Sequence, residues 1–123
     1  MLQETARLKI TKTGDTVQVE FTTRKILDEA NIAEIGEQLS ALVDREERPK
    51  IIISFGAVDH LSSAALGTLI TINNKVKQKS GQLRLSDINP QIYEVFQITK
   101  LNKLFKIYPT LQEAQESLVP AAT

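Results

Sequence analysis

Apolar and polar residues alternate along Leu8-Lys9-Ile10-Thr11-Lys12 and again along Thr16-Val17-Gln18-Val19-Glu20-Phe21. A period of two is that of a strand with one face buried, and Thr13-Gly14-Asp15 between the two runs is short enough for a hairpin turn. After Thr22-Thr23-Arg24-Lys25 and Ile26-Leu27-Asp28 the period changes. Ile32, Ile35, Leu39, Leu42 and Val43 recur at helical spacing, while Glu34, Glu37 and Gln38 fall off that face. Asp28 suits the cap or first turn of this helix, and the charged stretch Asp44-Arg45-Glu46-Glu47-Arg48 before Pro49 should end it.

Lys50-Ile51-Ile52-Ile53-Ser54-Phe55 does not alternate. Its continuous β-branched residues predict a central strand covered on both faces. From Ser63 to Ser80 a second helix face is marked by Leu66, Leu69, Ile70, Asn73 and Val76, with Gly81 as the expected stop. Gln82-Leu83-Arg84-Leu85-Ser86-Asp87 alternates again. Pro90 can open a third helix in its first turn, with Ile92, Val95 and Phe96 facing inward. Leu104-Phe105-Lys106-Ile107-Tyr108 reads as a short strand broken by Pro109, and Thr110 as the cap of a last helix carrying Leu111, Ala114 and Leu118. The tail, residues 119–123, is expected to fray. The order is ββαβαβαβα, an α/β chain with a mixed sheet of four to five strands and about four helices. A single domain over residues 1–123, with its core at about 8–118, is expected.

Composition narrows the function classes. At 123 residues the chain has room for one hydrophobic core. Fifteen basic and fifteen acidic residues cancel to a net charge of zero, which argues against a nucleic-acid partner. Without cysteine there is no disulfide framework or thiolate metal site, and a lone histidine rules out a multi-histidine site within one chain. No apolar run approaches the roughly 18 residues that span a bilayer. Met1-Leu2-Gln3-Glu4-Thr5-Ala6-Arg7 lacks the basic-then-apolar layout of a signal peptide. A cytoplasmic protein with no membrane insertion is the expectation.

The candidate chemistry lies at Asp59-His60-Leu61-Ser62-Ser63-Ala64-Ala65-Leu66-Gly67-Thr68-Leu69-Ile70, where the central strand gives way to a helix. A serine there can cap the helix through its side-chain oxygen, and Ser63 is expected to combine that role with a reachable hydroxyl. Hydrolase chemistry needs a base, and His60 lacks an evident orienting partner; there is no Gly-x-Ser-x-Gly elbow either. Gly56 and Gly67 do not form a phosphate cradle. Asp28, Asp59 and Asp87 all fall near element ends, where acids more often serve turns and caps than a metal. Lys75, Lys77 and Lys79 are accounted for as a solvated helix face.

The strand-loop-Ser-Ser-Ala-Ala-Leu-Gly-helix segment resembles the signature of the STAS domain, the fold of bacterial anti-sigma factor antagonists. That signature runs Asp-Ser-Ser/Thr-Gly-Leu-Gly after an apolar residue. Three further stretches are similar to the same family: Lys25-Ile26-Leu27-Asp28, Asp87-Ile88-Asn89-Pro90-Gln91-Ile92-Tyr93-Glu94-Val95-Phe96, and Ile98-Thr99-Lys100-Leu101-Asn102-Lys103-Leu104-Phe105-Lys106-Ile107. Aligned on Leu66-Gly67, the resemblance places Ser62 at the family aspartate, Ser63 at the phospho-acceptor and Ala64 at the next hydroxyl. Ala65 stands at the first glycine, where alanine favours the helix and is expected to crowd a partner.

The resemblance implies a non-enzymatic partner switch with no cofactor or metal. Unphosphorylated, the chain would bind an anti-sigma factor serine kinase of the histidine-kinase-like ATPase type. Phosphorylation of Ser63, with Ser62 as the alternative acceptor, would release it, and a serine phosphatase would reset it. The implied contact residues are Asp28, Asp59, His60, Leu61, Ser62, Ser63, Ala64, Leu66 and Gly67. Two alternatives accompany this reading: a STAS interaction module that is never phosphorylated, and the soluble STAS subunit of a lipid-transport ATPase complex. A homodimer stays open, because one face of such a sheet can be left incompletely covered.

Overall fold

The computed structural model describes residues 2–4, 8–26 and 29–118. Asp28 and the tail 119–123, expected to cap the first helix and to fray, lie outside these residues. The chain runs β1 (Leu2–Glu4), β2 (Leu8–Thr13), β3 (Thr16–Phe21), β4 (Lys25–Ile26), α1 (Glu29–Arg45), β5 (Lys50–Ser54) and β6 (His60–Leu61). It continues through α2 (Ser63–Gln78), β7 (Gln82–Ser86), α3 (Pro90–Ile98), a 3-10 turn (Leu101–Lys103), β8 (Lys106–Tyr108) and α4 (Leu111–Glu116).

The main sheet has the order β1-β2-β3-β5-β7-β8. β2 and β3 form the expected antiparallel hairpin, turning at Gly14, whose φ of 62° favours glycine. β3, β5, β7 and β8 run parallel in sequential order, so right-handed crossovers deliver their helices to one face. That face holds the core. Leu8, Ile10, Val17, Val19, Ile51, Ile53, Leu83 and Leu85 meet the predicted apolar stripe of α1, together with Leu66, Leu69, Ile72 and Val76 of α2 and Ile92 and Phe96 of α3. Phe21, Phe55, Phe96 and Phe105 form a chain of ring contacts through it, with centroids 5.1, 6.5 and 5.8 Å apart. Tilted and edge-on rings at such distances add to the burial term.

The short helix α4 lies on the opposite face, against β5, β7 and β8. This explains why the β5 run does not alternate: Ile51 and Ile53 face the main core, whereas Ile52, equally buried, is on the α4 side. Arg84 pairs in register with Ile52 and is only 6% exposed. Its guanidinium donates to Ser117 Oγ at 2.8 Å, Gln82 Oε1 at 3.1 Å and the Leu83 carbonyl at 3.2 Å. The negative end of the α4 dipole lies beside it and supplies partial counter-charge.

All five expected strands and four helices appear in the expected order. Three short strands were not foreseen: β1, which pairs antiparallel with β2, and the two-residue parallel pair β4–β6. Runs of two or three residues carry no readable period. The end of α2 also differs. Ser80, with φ 57°, is the left-handed residue that closes it, and the Gly81 N–H returns to the Val76 carbonyl at 2.9 Å. Gly81 is needed for space: a Cβ there would lie 2.4 Å from the Pro49 carbonyl oxygen. Nor are the α2 lysines simply a solvated face. Lys79 Nζ donates to the Val43 and Asp44 carbonyls, both at 3.0 Å, closing the C-terminus of α1, and Lys75 pairs with Asp44 at 3.1 Å.

Candidate functional site

The parallel strands all point their C-terminal ends at one edge, and the loops leaving β5 and β7 gather there. β5 ends at Ser54, and Phe55 drops fully into the core, donating its N–H to the Ser86 carbonyl at 2.9 Å. Residues 56–59 then cross to the neighbouring loop. Asp59 N–H and His60 N–H both donate to the Arg24 carbonyl, at 2.8 and 3.1 Å, and Ser62 N–H donates to the Ile26 carbonyl at 3.1 Å. The β4–β6 pair therefore splices the entry of α2 onto the chain that leads to α1. Leu61 is half-buried and packs against the core beside it.

Ser62, with φ −83° and ψ 164°, is the N-cap of α2. Its Oγ accepts the Ala65 N–H at 3.2 Å, and its carbonyl accepts the Leu66 N–H at 3.1 Å. Ser63 is the first helical residue and exposed, and its hydroxyl bonds to no described residue. The cap expected at Ser63 is thus made by Ser62, because only the residue before the first turn has the extended backbone that aims an oxygen at the third N–H.

The neighbouring positions sort by helical phase. Ala64 and Gly67 are exposed, while Ala65 and Leu66 are buried. Leu66, expected as a contact residue, is buried in the core and is not part of the exposed surface. Ala65, only 4% exposed, borders a small apolar hollow shared with Phe21, Ile26, Ile32, Ile35, Leu61, Thr68 and Leu69. Its methyl points inward. The crowding of a partner expected from this alanine would have to come from a residue that is almost wholly buried.

Asp59 is the electrostatic centre of the loop. Its Oδ2 accepts from Arg24 Nη2 at 2.6 Å and Nε at 3.0 Å, and its Oδ1 lies 2.6 Å from His60 Nδ1. The hydrogen bond from His60, then that from Arg24, hold the Asp59 carboxyl below its ordinary value of 3.8. His60 therefore does have an orienting carboxylate, contrary to the reading from sequence. Neither serine hydroxyl is hydrogen-bonded to its ring, so no nucleophile–base pair is assembled. Arg24 was missed in the sequence; it sits 35 residues from Asp59 and nothing local marks it.

A second carboxylate, Asp87, stands at the end of β7 with a left-handed φ of 59°. It accepts from Ser86 Oγ at 2.7 Å and Ser54 Oγ at 3.2 Å, tying the ends of two neighbouring strands. Asp59 and Asp87 thus serve separate hydrogen-bond groups. Among the described residues no cluster of three or more carboxylates or imidazoles offers a metal site.

A sequence profile of the STAS domain matches residues 7–114. A protein of Bordetella bronchiseptica named for anti-sigma factor antagonism is 29% identical over 82 residues, which cover 67% of this chain and 70% of that one. Among solved structures, an anti-sigma-factor antagonist (STAS) domain protein from Planctomyces limnophilus superposes with a TM-score of 0.82 at 21% identity, over 94% of this chain and 100% of that one. The Bacillus cell fate determinant SpoIIAA in its phosphorylated form gives a TM-score of 0.67 at 20% identity, over 89% and 96% of the two chains. At these identities the structural matches speak for a common fold.

Proposed function

The chain belongs to the STAS domain family, and from that premise we propose that it is an anti-sigma factor antagonist working by partner switching, with Ser63 as the phosphorylated residue. The observation that carries this reading is the division of labour between the two serines. Ser62 holds the helix, and Ser63 is exposed with a hydroxyl that bonds to no described residue.

Unphosphorylated, the surface around Asp59, His60, Ser62, Ser63, Ala64 and Gly67 meets an anti-sigma factor serine kinase of the histidine-kinase-like ATPase type. A phosphate on Ser63 adds about −1.5 to −2 charges to a chain whose net charge is zero. Within the domain this charge is tolerated, because the first N–H groups of α2 and its dipole favour an anion. The fold therefore persists, and release arises at the interface from desolvation and repulsion. A serine phosphatase restores the binding form. The protein is the substrate in this cycle and catalyses no step of it.

Relatives named as anti-sigma factor antagonists, and a neighbour whose structure was solved in a phosphorylated form, support the reading. Incubation with the ATPase and ATP, followed by mass-spectrometric mapping, tests it: the phosphate is expected on Ser63, and a chain left unmodified overturns it.

A further inference from the structure

The short β4–β6 pair sorts its side chains by face. Ile26 and Leu61 are partners in register and turn toward the core, so Lys25 and His60, the other pair, turn outward, and both are exposed. The backbone stays extended through Leu61 to Ser62, whose φ is −83° and ψ 164°, before α2 begins. Alternation therefore puts the His60 side chain on the same side as that of Ser62, whose Oγ sits at the mouth of α2 and accepts the Ala65 N–H. Two basic side chains thus flank the helix entry at which Ser63 is exposed.

The separation permits contact with a group on Ser63. Three residues of chain lead from His60 to Ser63, a Cα–Cα span of at most about 11 Å. The side chains of phosphoserine and histidine each reach roughly 4–5 Å from Cα, and a charge-assisted hydrogen bond adds about 2.8 Å. Lys25 stands one strand spacing from His60, about 4.8 Å, on a longer and more flexible stem.

Both groups are free to meet an anion. Asp59 is ionised at neutral pH, so its Oδ1 can only accept, and His60 Nδ1, 2.6 Å away, is the donor. Nε2 is then the nitrogen left over, and it bonds to no described residue; nor does the Lys25 ammonium. Arg24, by contrast, is committed to Asp59 through two N–H groups. The first turn of α2 has no acidic residue, and the described acid that follows β4 is Glu29, exposed in the first turn of α1.

Resting on the reading of Ser63 above, we infer that Lys25 and His60 clasp the phosphate on that serine, through the ammonium and the Nε2 edge of the ring. A phosphoserine loses its second proton near pH 6, at about the usual value for such a group. In the clasp that proton passes from a phosphate oxygen to Nε2, and the imidazolium donates it back as a hydrogen bond. The modification therefore acts twice: it adds an anion at the interface and withdraws His60 from the partner.

The test installs phosphoserine at position 63 during translation, without any kinase, and follows the second ionisation of the phosphate by ³¹P NMR in the full chain. In the folded wild type it should lie at least about half a pH unit below its value in the same chain unfolded in urea, because cations favour the dianion. Lys25→Gln and His60→Gln should each return part of that difference. Unfolding midpoints check that both variants are folded; if His60→Gln is not, Lys25→Gln decides. No difference between folded and unfolded wild type overturns the clasp. A difference that Lys25→Gln leaves untouched overturns it too, because the N–H groups of α2 then hold the phosphate without it. Neither result touches the Ser63 reading, which is decided by where the kinase places its phosphate. If that mapping leaves Ser63 unmodified, the reading falls and this inference with it.

Discussion

Ser62 Oγ accepts the backbone N–H of Ala65 at 3.2 Å, closing the first turn of α2, while the hydroxyl of its neighbour Ser63 bonds to no described residue. Two adjacent serines thus have different physical roles, one internal to the fold and the other available to a partner.

The first prediction concerns stability. Ser62→Ala removes the cap and should cost about 1 kcal/mol. Ser63→Ala, at an exposed position, should change stability by less than about 0.5 kcal/mol. Urea unfolding of the two variants beside the wild type measures both, and equal losses would show the cap to be shared.

Two glycines should respond to alanine in opposite directions. At Gly67 a Cβ meets nothing within 4 Å, so Gly67→Ala should stabilise α2 by about 0.8–1.0 kcal/mol through helix propensity alone. At Gly81 the same methyl would lie 2.4 Å from the Pro49 carbonyl oxygen and 2.8 Å from Pro49 Cγ. That backbone must shift, and Gly81→Ala should cost about 1–3 kcal/mol. Thermal unfolding distinguishes them by the sign of the change.

Ser80 and Lys100 hold left-handed backbone, with φ of 57° and 63°, at the ends of α2 and α3. A side chain in that conformation is unfavourable by about 1–2 kcal/mol, partly offset on replacement by the greater unfolded entropy of glycine. Ser80→Gly and Lys100→Gly should each raise the unfolding midpoint. A lowered midpoint would mean that the native side chains make contacts outweighing the strain.

Acid should weaken the fold through two carboxylates. Asp15 is held below its ordinary value of 3.8 by the hydrogen bond from the buried Lys50, 2.8 Å away, and Asp59 by His60 and then Arg24. A depressed carboxyl binds fewer protons folded than unfolded near that pH, so its contribution is complete above the unfolded value and is lost as pH falls through the folded one. Stability should therefore decline as pH drops below 3.8. In Asp15→Asn the decline should be shallower. An identical acid limb in that variant would remove Asp15 from the explanation.

Much of this fold was legible because its long elements carry clean periods. The alternation of β2 and β3, the stripe on α1 and the unbroken β5 run each correspond to a surface that the structure buries. Sequential parallel strands followed from the alternation of strand and helix. What escaped was either too short to have a period, as with β1, β4 and β6, or settled by contacts between residues far apart. Asp59 is engaged by Arg24 from 35 positions away, and Lys79 closes the end of α1 from 35 and 36 positions away. At the site, sequence pointed to the serine pair but could not divide its roles. The cap depends on backbone angles at Ser62, and the inward methyl of Ala65 depends on the rotation of α2 relative to the sheet.

In the proposed switch, Ser63 modulates binding without holding the fold. The most direct measurement is titration of the purified anti-sigma ATPase with the wild-type chain, Ser63→Ala, and chain phosphorylated to completion on Ser63, with unfolding midpoints recorded for all three. Equal affinity for wild type and Ser63→Ala is predicted, with at least a tenfold loss on phosphorylation and no collapse of the midpoint. Undiminished affinity of the phosphorylated chain would contradict the account and favour a STAS module that docks regardless of modification.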